Sequence, residues 1–454
     1  MNMPKSVAVI FAGVAAVLLL GGSILAHNPA QDAAPAAATL PTDIYPNSRC
    51  RLPLPKRSDM APGDQKLFDQ LTQTSGSPGI RLWDPRLAAT LGEIARYLEY
   101  QTALPGRLIE IAALVTARET DSQYEWAQWA AHARDPHGPR HIEPAVLDTI
   151  RYEKPVAGLG EKEAAVIKFG RETFGQKRLS SETFAETLRL FGRKGTVDLF
   201  WLMAYFSEEA AEKTAFNCQS NRAQEAGLPP LPHPRDPARF AAAASDPLPA
   251  DVYPDSRYRL PLPSRDGMEA ADANVFEELT QKSGQYNVGL KEQLPVGIEQ
   301  LAVRMWDPRL AKPKGELGHY LKYEIGLPDR LLEIAVLVTA REMDSQYEWT
   351  QWETHGRDPN DPRHIEPAVI DIIKYGRPVA GLGEKEAAII QFGRETFGQN
   401  ALSPETFAGV LRLFGRKGTV DLFWLMANYV ADEEEQTAFD NQLRAGQKPL
   451  LPAR

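Results

Sequence analysis

Apolar residues recur at helical spacing along most of the chain. Leu87, Leu91, Ile94 and Leu98 fall on one face before Leu104-Pro105 interrupts the pattern. Pro105 suits the first turn of a following helix that runs to about Glu119. Its segment Arg107-Leu-Ile-Glu-Ile-Ala-Ala-Leu-Val-Thr-Ala-Arg118 is apolar nearly all round, which predicts a central, buried helix. Ser122-Gln-Tyr-Glu125 has the spacing of a capping box and opens a helix to about Arg134. Pro144 opens a short helix, and Glu161 to Phe174 forms another that Gly175 stops. Ser180 caps a helix over 181–191, and Thr196 to Phe206 makes the last long one. No stretch of useful length alternates between apolar and polar residues. The expected class is therefore all-α, a compact bundle of about six helices.

The same pattern then comes a second time. All eight tryptophans fall into pairs 223 residues apart: Trp83/Trp306, Trp126/Trp349, Trp129/Trp352 and Trp201/Trp424. Bulky tryptophans are hard to move within a core, so matched tryptophans mean matched cores. So long a period reads as two copies of one domain rather than as a solenoid. The openings Asp43-Ile-Tyr-Pro and Asp251-Val-Tyr-Pro are only 208 residues apart, so the second copy carries 15 extra residues between Gly284 and Trp306. The expected organisation is a first domain at 43–227, a Pro/Ala-rich linker at 228–250 and a second domain at 251–446. Each domain is large enough to bury its own core.

Residues 1–26 differ in kind. Lys5 precedes an uncharged apolar run from Val7 to Ala26, and an Ala/Pro-rich spacer fills 27–42. The run reads as an export signal. It is also long enough to span a bilayer as an uncleaved anchor, with Lys5 inside and both copies outside. Either outcome makes the domains exported, periplasmic or held at the inner membrane facing the periplasm, with this segment as the only membrane contact. The net charge of −9 and the lack of a basic stripe argue against nucleic acid as a partner. The two cysteines, Cys50 and Cys218, lie at the two ends of the first copy, where the second has Tyr258 and Asn441. An oxidising compartment would let them form a disulfide. Two unrelated thiols are the alternative, since sequence does not fix geometry.

The sharpest chemical signal is Glu110, with its counterpart Glu333, a carboxyl in the middle of an apolar helix. Such a group must be paired or neutral. Arg107 and Arg330 lie three residues back, at ion-pair spacing. One outcome is a structural pair; the other is a carboxyl of raised pKa that passes protons near neutral pH. Glu125 and Glu348 occupy the last place of the capping boxes, and His132 and His355 follow two turns later on the same face. Each Glu/His couple is an acid–base pair, a salt bridge or a solvated face. Arg118 and Arg341 end the central helices and suit either the helix dipole or a substrate carboxylate. Tyr124 and Tyr347 are phenol donors or packing partners of the neighbouring tryptophan. A metal site built from Glu125, His132 and His141 has no familiar ligand spacing, so no metal is expected. No Gly-x-Ser-x-Gly elbow, phosphate loop or dinucleotide fingerprint occurs, and no cofactor is expected.

The stretch Leu104 to Arg118 followed by Ser122-Gln-Tyr-Glu-Trp126, with Leu327 to Arg341 and Ser345 to Trp349 in the second copy, resembles the carboxymuconolactone decarboxylase and alkylhydroperoxidase D-like family. The upstream Trp83-Asp-Pro-Arg-Leu fits its longer, cysteine-free members, and the resemblance covers most of both copies. It implies two tandem copies of an alkylhydroperoxidase D-like bundle of roughly six helices. It further implies a homo-oligomer built on an internal pseudo-dimer. The family's peroxidases carry a Glu, then Cys-x-x-Cys, then a His. Laid on this chain, the Glu falls on Glu110 and Glu333, and the cysteines fall on Ser122 and Glu125 and on Ser345 and Glu348. The His falls on Trp129 and Trp352. With both thiols gone, thiol peroxidase chemistry has no nucleophile. What remains implied is proton transfer or decarboxylation on a small carboxylated or lactone-like compound. Glu110 and Glu333 would move the proton, assisted by His132 and His355. Arg107, Arg118, Arg330 and Arg341 would hold a carboxylate, and Trp129, Trp352, Tyr124 and Tyr347 would line the site. The other reading is a non-catalytic exported binder or assembly protein on the same fold.

Overall fold

The computed structural model describes residues 40–73, 78–221, 227–229, 247–281 and 303–452. The expected signal or anchor at 1–26, most of the two linkers and the 15 extra residues lie outside the described residues. Among the described residues the chain is helical without a strand, and a single bridge pairs Tyr45 with Cys50. No described helix is long and apolar enough to cross a membrane.

The first half supplies α1 (Gln65–Gln73), α2 (Pro85–Tyr100), α3 (Gly106–Glu119), α4 (Gln123–Ala133), α5 (Pro144–Arg151), α6 (Glu161–Gly170) and α7 (Ser181–Ala215). The second supplies α8 (Ala270–Gln281), α9 (Pro308–Tyr323), α10 (Asp329–Glu342), α11 (Gln346–Gly356), α12 (Pro367–Lys374), α13 (Glu384–Gly393) and α14 (Pro404–Ala438). Local signals set the helix starts and stops. Asp84 caps α2 by accepting from the backbone N of Arg86 (3.0 Å) and Leu87 (3.2 Å). Every α3 residue from Leu108 to Glu119 is buried. Ser122 Oγ accepts from Glu125 N at 3.3 Å and starts α4. The helix that includes Phe174 ends in a π-helical turn, Arg171–Gly175. Gly170 lets this segment press on α3 and α7, because a β-carbon there would overlap Val115 and Met203; Gly393 does the same against Val338 and Met426.

Four elements depart from the pattern. α1 and α8 are not foreseen; α1 is only nine residues long and buries only Phe68. The helices expected at 181–191 and 196–206 form one run, α7, bent at Gly192, whose φ of 69° is a left-handed conformation; Gly415 bends α14 identically. The run also continues to Ala215. The polar residues beyond Phe206 look solvated in sequence but are buried between the halves, Glu208 and Glu212 among them. In α14 four consecutive acids, Asp432 to Glu435, are all buried.

That seam organises the molecule. α7 packs on α14 and α2 on α9, and the contacts come in reciprocal pairs. Trp201 Nε1 donates to Glu435 Oε1 (3.2 Å) and Trp424 Nε1 to Glu212 Oε1 (3.1 Å). Arg81 pairs with Glu212 (2.9 Å) and lies over Trp424, while Arg304 pairs with Glu435 (3.0 Å) and lies over Trp201. Tyr97 Oη donates to Asp307 (2.9 Å) and Tyr320 Oη to Asp84 (2.5 Å), and Lys194 and Lys417 bind the same two carboxylates at 2.6 Å. One hydrophobic core runs through both halves. Cys50 and Cys218 form a disulfide across 168 residues of sequence and join the two ends of the first half.

Candidate site around Glu110 and Glu333

The buried carboxyls sit where the sequence places them, without the expected partner. Glu110 and Glu333 have 0 % exposure, and neither oxygen of either one has a hydrogen-bond partner among the described residues. Burial pushes both up to about 8. For Glu110 the positive charge of Arg140 opposes the rise and Glu99 adds to it; for Glu333 Arg363 opposes and Asp361 adds. Each acid is therefore protonated at neutral pH.

The pairing with Arg107 is overturned. Arg107 turns away from Glu110: Nε binds Glu163 at 2.6 Å, Nη1 donates to the His141 carbonyl at 2.9 Å, and Nη2 binds Glu143. Arg330 repeats this with Glu386, the His364 carbonyl and Glu366. Carboxylates from other helices satisfy the guanidinium better than a neutral acid one turn along, so these two arginines fasten the bundle. Arg118 and Arg341 also have structural work. Arg118 is fully buried, donates to Pro229 O (2.6 Å) and pairs with Glu153 (3.3 Å). Arg341 donates to Pro452 O (3.0 Å) and pairs with Asp344 (3.3 Å). Both hold the chain that returns after the last helix of their half. They stand eight residues beyond the glutamates, about 12 Å along the same helix, so Arg118 and Arg341 do not converge on Glu110 and Glu333.

The cation near each carboxyl is Arg140 in the first half and Arg363 in the second. Arg140 lies over the ring of Trp129 (5.8 Å), and Trp129 meets His132 edge-on (5.9 Å) and Phe206 (5.0 Å). In the second half Arg363 and Lys322 lie over Trp352 (5.5 and 5.0 Å), with Tyr429 against its edge (5.4 Å). His132 is exposed, and His355 is half-buried 3.5 Å from Asp361, its pKa lowered first by burial and then by Arg363. In the first half the exposed imidazole and Arg140 thus both contact Trp129, and the charge of Arg140 acts on the buried acid. The signal was present in the twice-occurring Arg-His-Ile-Glu-Pro, whose arginine matters more than its histidine.

Glu125 and Glu348 join buried polar groups of their own halves. Ser122 and Ser345 cap as expected, but the carboxyls point into buried clusters instead of closing the box. Burial, then Glu209, pushes Glu125 up to about 7, against Lys213 and Arg81. Glu348 accepts from Gln436 Nε2 at 2.7 Å. Each lies seven residues from its histidine, about 10 Å of helix rise, so no Glu/His couple forms. Tyr124 is half-buried under Lys213 (5.8 Å to the ring), which opposes the rise that burial gives its phenol. Tyr347 is buried and lines a cleft of about 560 Å³ together with Ser345. A second cavity, of about 70 Å³, lies across the seam between Lys177, Ser207 and Glu434. Neither cavity is lined by Glu110, Glu333, Trp129 or Trp352. Among the described residues no group of three or more His, Cys, Asp or Glu could hold a metal ion.

Comparison of the chain with protein-family models, with curated proteins and with solved structures finds no match.

Proposed function

We propose that the chain is an exported, tandem carboxymuconolactone decarboxylase-like protein that transfers a proton to a small carboxylated or lactone-like compound. The observation that carries this reading is the carboxyl at Glu110 and again at Glu333, fully buried, unpartnered and raised to about 8. A carboxylic acid that stays protonated at neutral pH is a proton donor. In a decarboxylation the electrons of the C–C bond pass into an adjoining carbonyl as carbon dioxide leaves. The resulting enolate takes its proton on carbon from Glu110 or Glu333. Arg140 or Arg363 steadies the developing negative charge, in the role that Arg107 and Arg118 do not fill. Trp129 and Trp352 hold that arginine by its face. The halves form an internal pseudo-dimer through reciprocal seam contacts, from which a homo-oligomer is built.

A second reading, a non-catalytic ligand-binding or assembly protein, is favoured by the position of both cavities at the seam, away from the two acids. Carbon dioxide release from a panel of carboxylated lactones separates the two. The enzyme reading predicts turnover by the wild type and its loss, by at least about a hundredfold, in the Glu110→Gln/Glu333→Gln double variant. Turnover that survives in the double variant excludes the role assigned to the acids.

A further inference from the structure

The cleft of about 560 Å³ is within the size range of small-molecule sites. It lies between the loop that precedes α7 in the first half and the start of α11 and end of α14 in the second. Its lining includes Asn441, whose side chain is 1 % exposed and whose Oδ1 and Nδ2 both have no partner among the described residues. A buried primary amide with all its hydrogen-bonding capacity unused costs free energy unless something in the cleft completes it. At the mouth stands Arg178, exposed and without a carboxylate partner among the described residues, next to Lys177. Lys177 faces the buried acids Glu433 and Glu434, and Arg259 is neutralised by Asp251 (2.9 Å) and Asp440 (3.9 Å). The cleft therefore combines one guanidinium without a carboxylate partner at its mouth, Arg178, with an unsatisfied amide inside.

The matching position on the other side of the seam lacks each of these features. Lys177 and Arg178 correspond to Asn400 and Ala401, and Asn441 corresponds to Cys218. Where the first half closes with the Cys50–Cys218 disulfide, the second has Tyr258 and Asn441. The halves have diverged together at the cation and at the amide, which are far apart in sequence and meet only in this cleft.

We propose that the cleft is a binding site, one per chain, for a small organic anion: a carboxylate held by Arg178, with further polar groups that hydrogen-bond the Asn441 amide. The site is separate from Glu110 and Glu333, and goes beyond the proton-transfer reading.

Calorimetric titration of the whole chain at low salt with succinate and with citrate tests it, with sulfate as the control anion. Saturable binding at one site per chain is expected from at least one carboxylate, with sulfate clearly weaker. Arg178→Ala, a surface change, should weaken it by about tenfold, and Asn441→Asp should repel the anion. Glu110→Gln/Glu333→Gln should leave it unchanged, so this site and the proton-transfer site stand or fall separately. The proposal is overturned by no saturable heat from either carboxylate, by equal binding to the Arg178→Ala variant, or by sulfate binding as tightly.

Discussion

Glu110 and Glu333 keep their protons because the cost of burying a charge outweighs the opposing pull of Arg140 and Arg363. In the folded chain each titrates near 8, against 4.5 in the absence of burial. The folded state holds the extra proton between those values, so stability is fully present below about pH 4.5 and is lost as pH rises through about 8. Replacing both with Gln keeps the shape and removes the titration. The double variant should match the wild type near pH 4 and exceed it near pH 8.5 by roughly 2–4 kcal/mol per site in urea unfolding. Parallel pH curves for the two proteins would show that these carboxyls ionise normally. The acid itself was legible in the sequence, since one charged residue in an apolar helix stands out. Its surroundings were not. Arg107 has the right spacing along the helix, but Glu163 and Glu143 reach it from elsewhere in the fold, and local spacing carries no record of such competitors.

At the scale of elements, caps and prolines marked most helix starts, and the pattern failed where helices bury polar faces. The ends of α7 and α14 carry Glu208, Glu212 and the run Asp432 to Glu435, which any one-dimensional reading assigns to solvent. They are buried because arginines and lysines at the seam meet several of them. Glycines show the same dependence on context. Gly170→Ala would force a methyl into Val115 and Met203, and should cost about 1–3 kcal/mol. Gly92→Ala, on the exposed face of α2 with open space around it, should instead stabilise by about 0.5–1 kcal/mol. Thermal unfolding of the two variants checks the pair. Equal effects would mean that α6 does not approach α3 and α7 as closely as described.

At the scale of the molecule, the doubled tryptophans were the most legible feature, yet their roles divide. Trp201 and Trp424 face each other's half, each bonded to a glutamate across the seam, so they join the halves as well as filling cores. Trp129 and Trp352 stand at the position where the resemblance would put a histidine, and they hold an arginine instead. The disulfide adds a covalent tie on one side only. Reducing it should lower stability by about 2–5 kcal/mol, given the long loop it closes. A urea midpoint unaffected by reductant would mean that Cys50 and Cys218 are thiols in solution.

The claim on which the functional account rests is that each half keeps a protonated carboxylic acid at neutral pH. Infrared difference spectroscopy across a pH titration, wild type against the Glu110→Gln/Glu333→Gln variant, measures it directly. A protonated-carboxyl band that persists at neutral pH, disappears with a midpoint near 8 and is missing from the variant is the predicted result. A difference spectrum in which both carboxyls are already ionised at neutral pH would contradict the account.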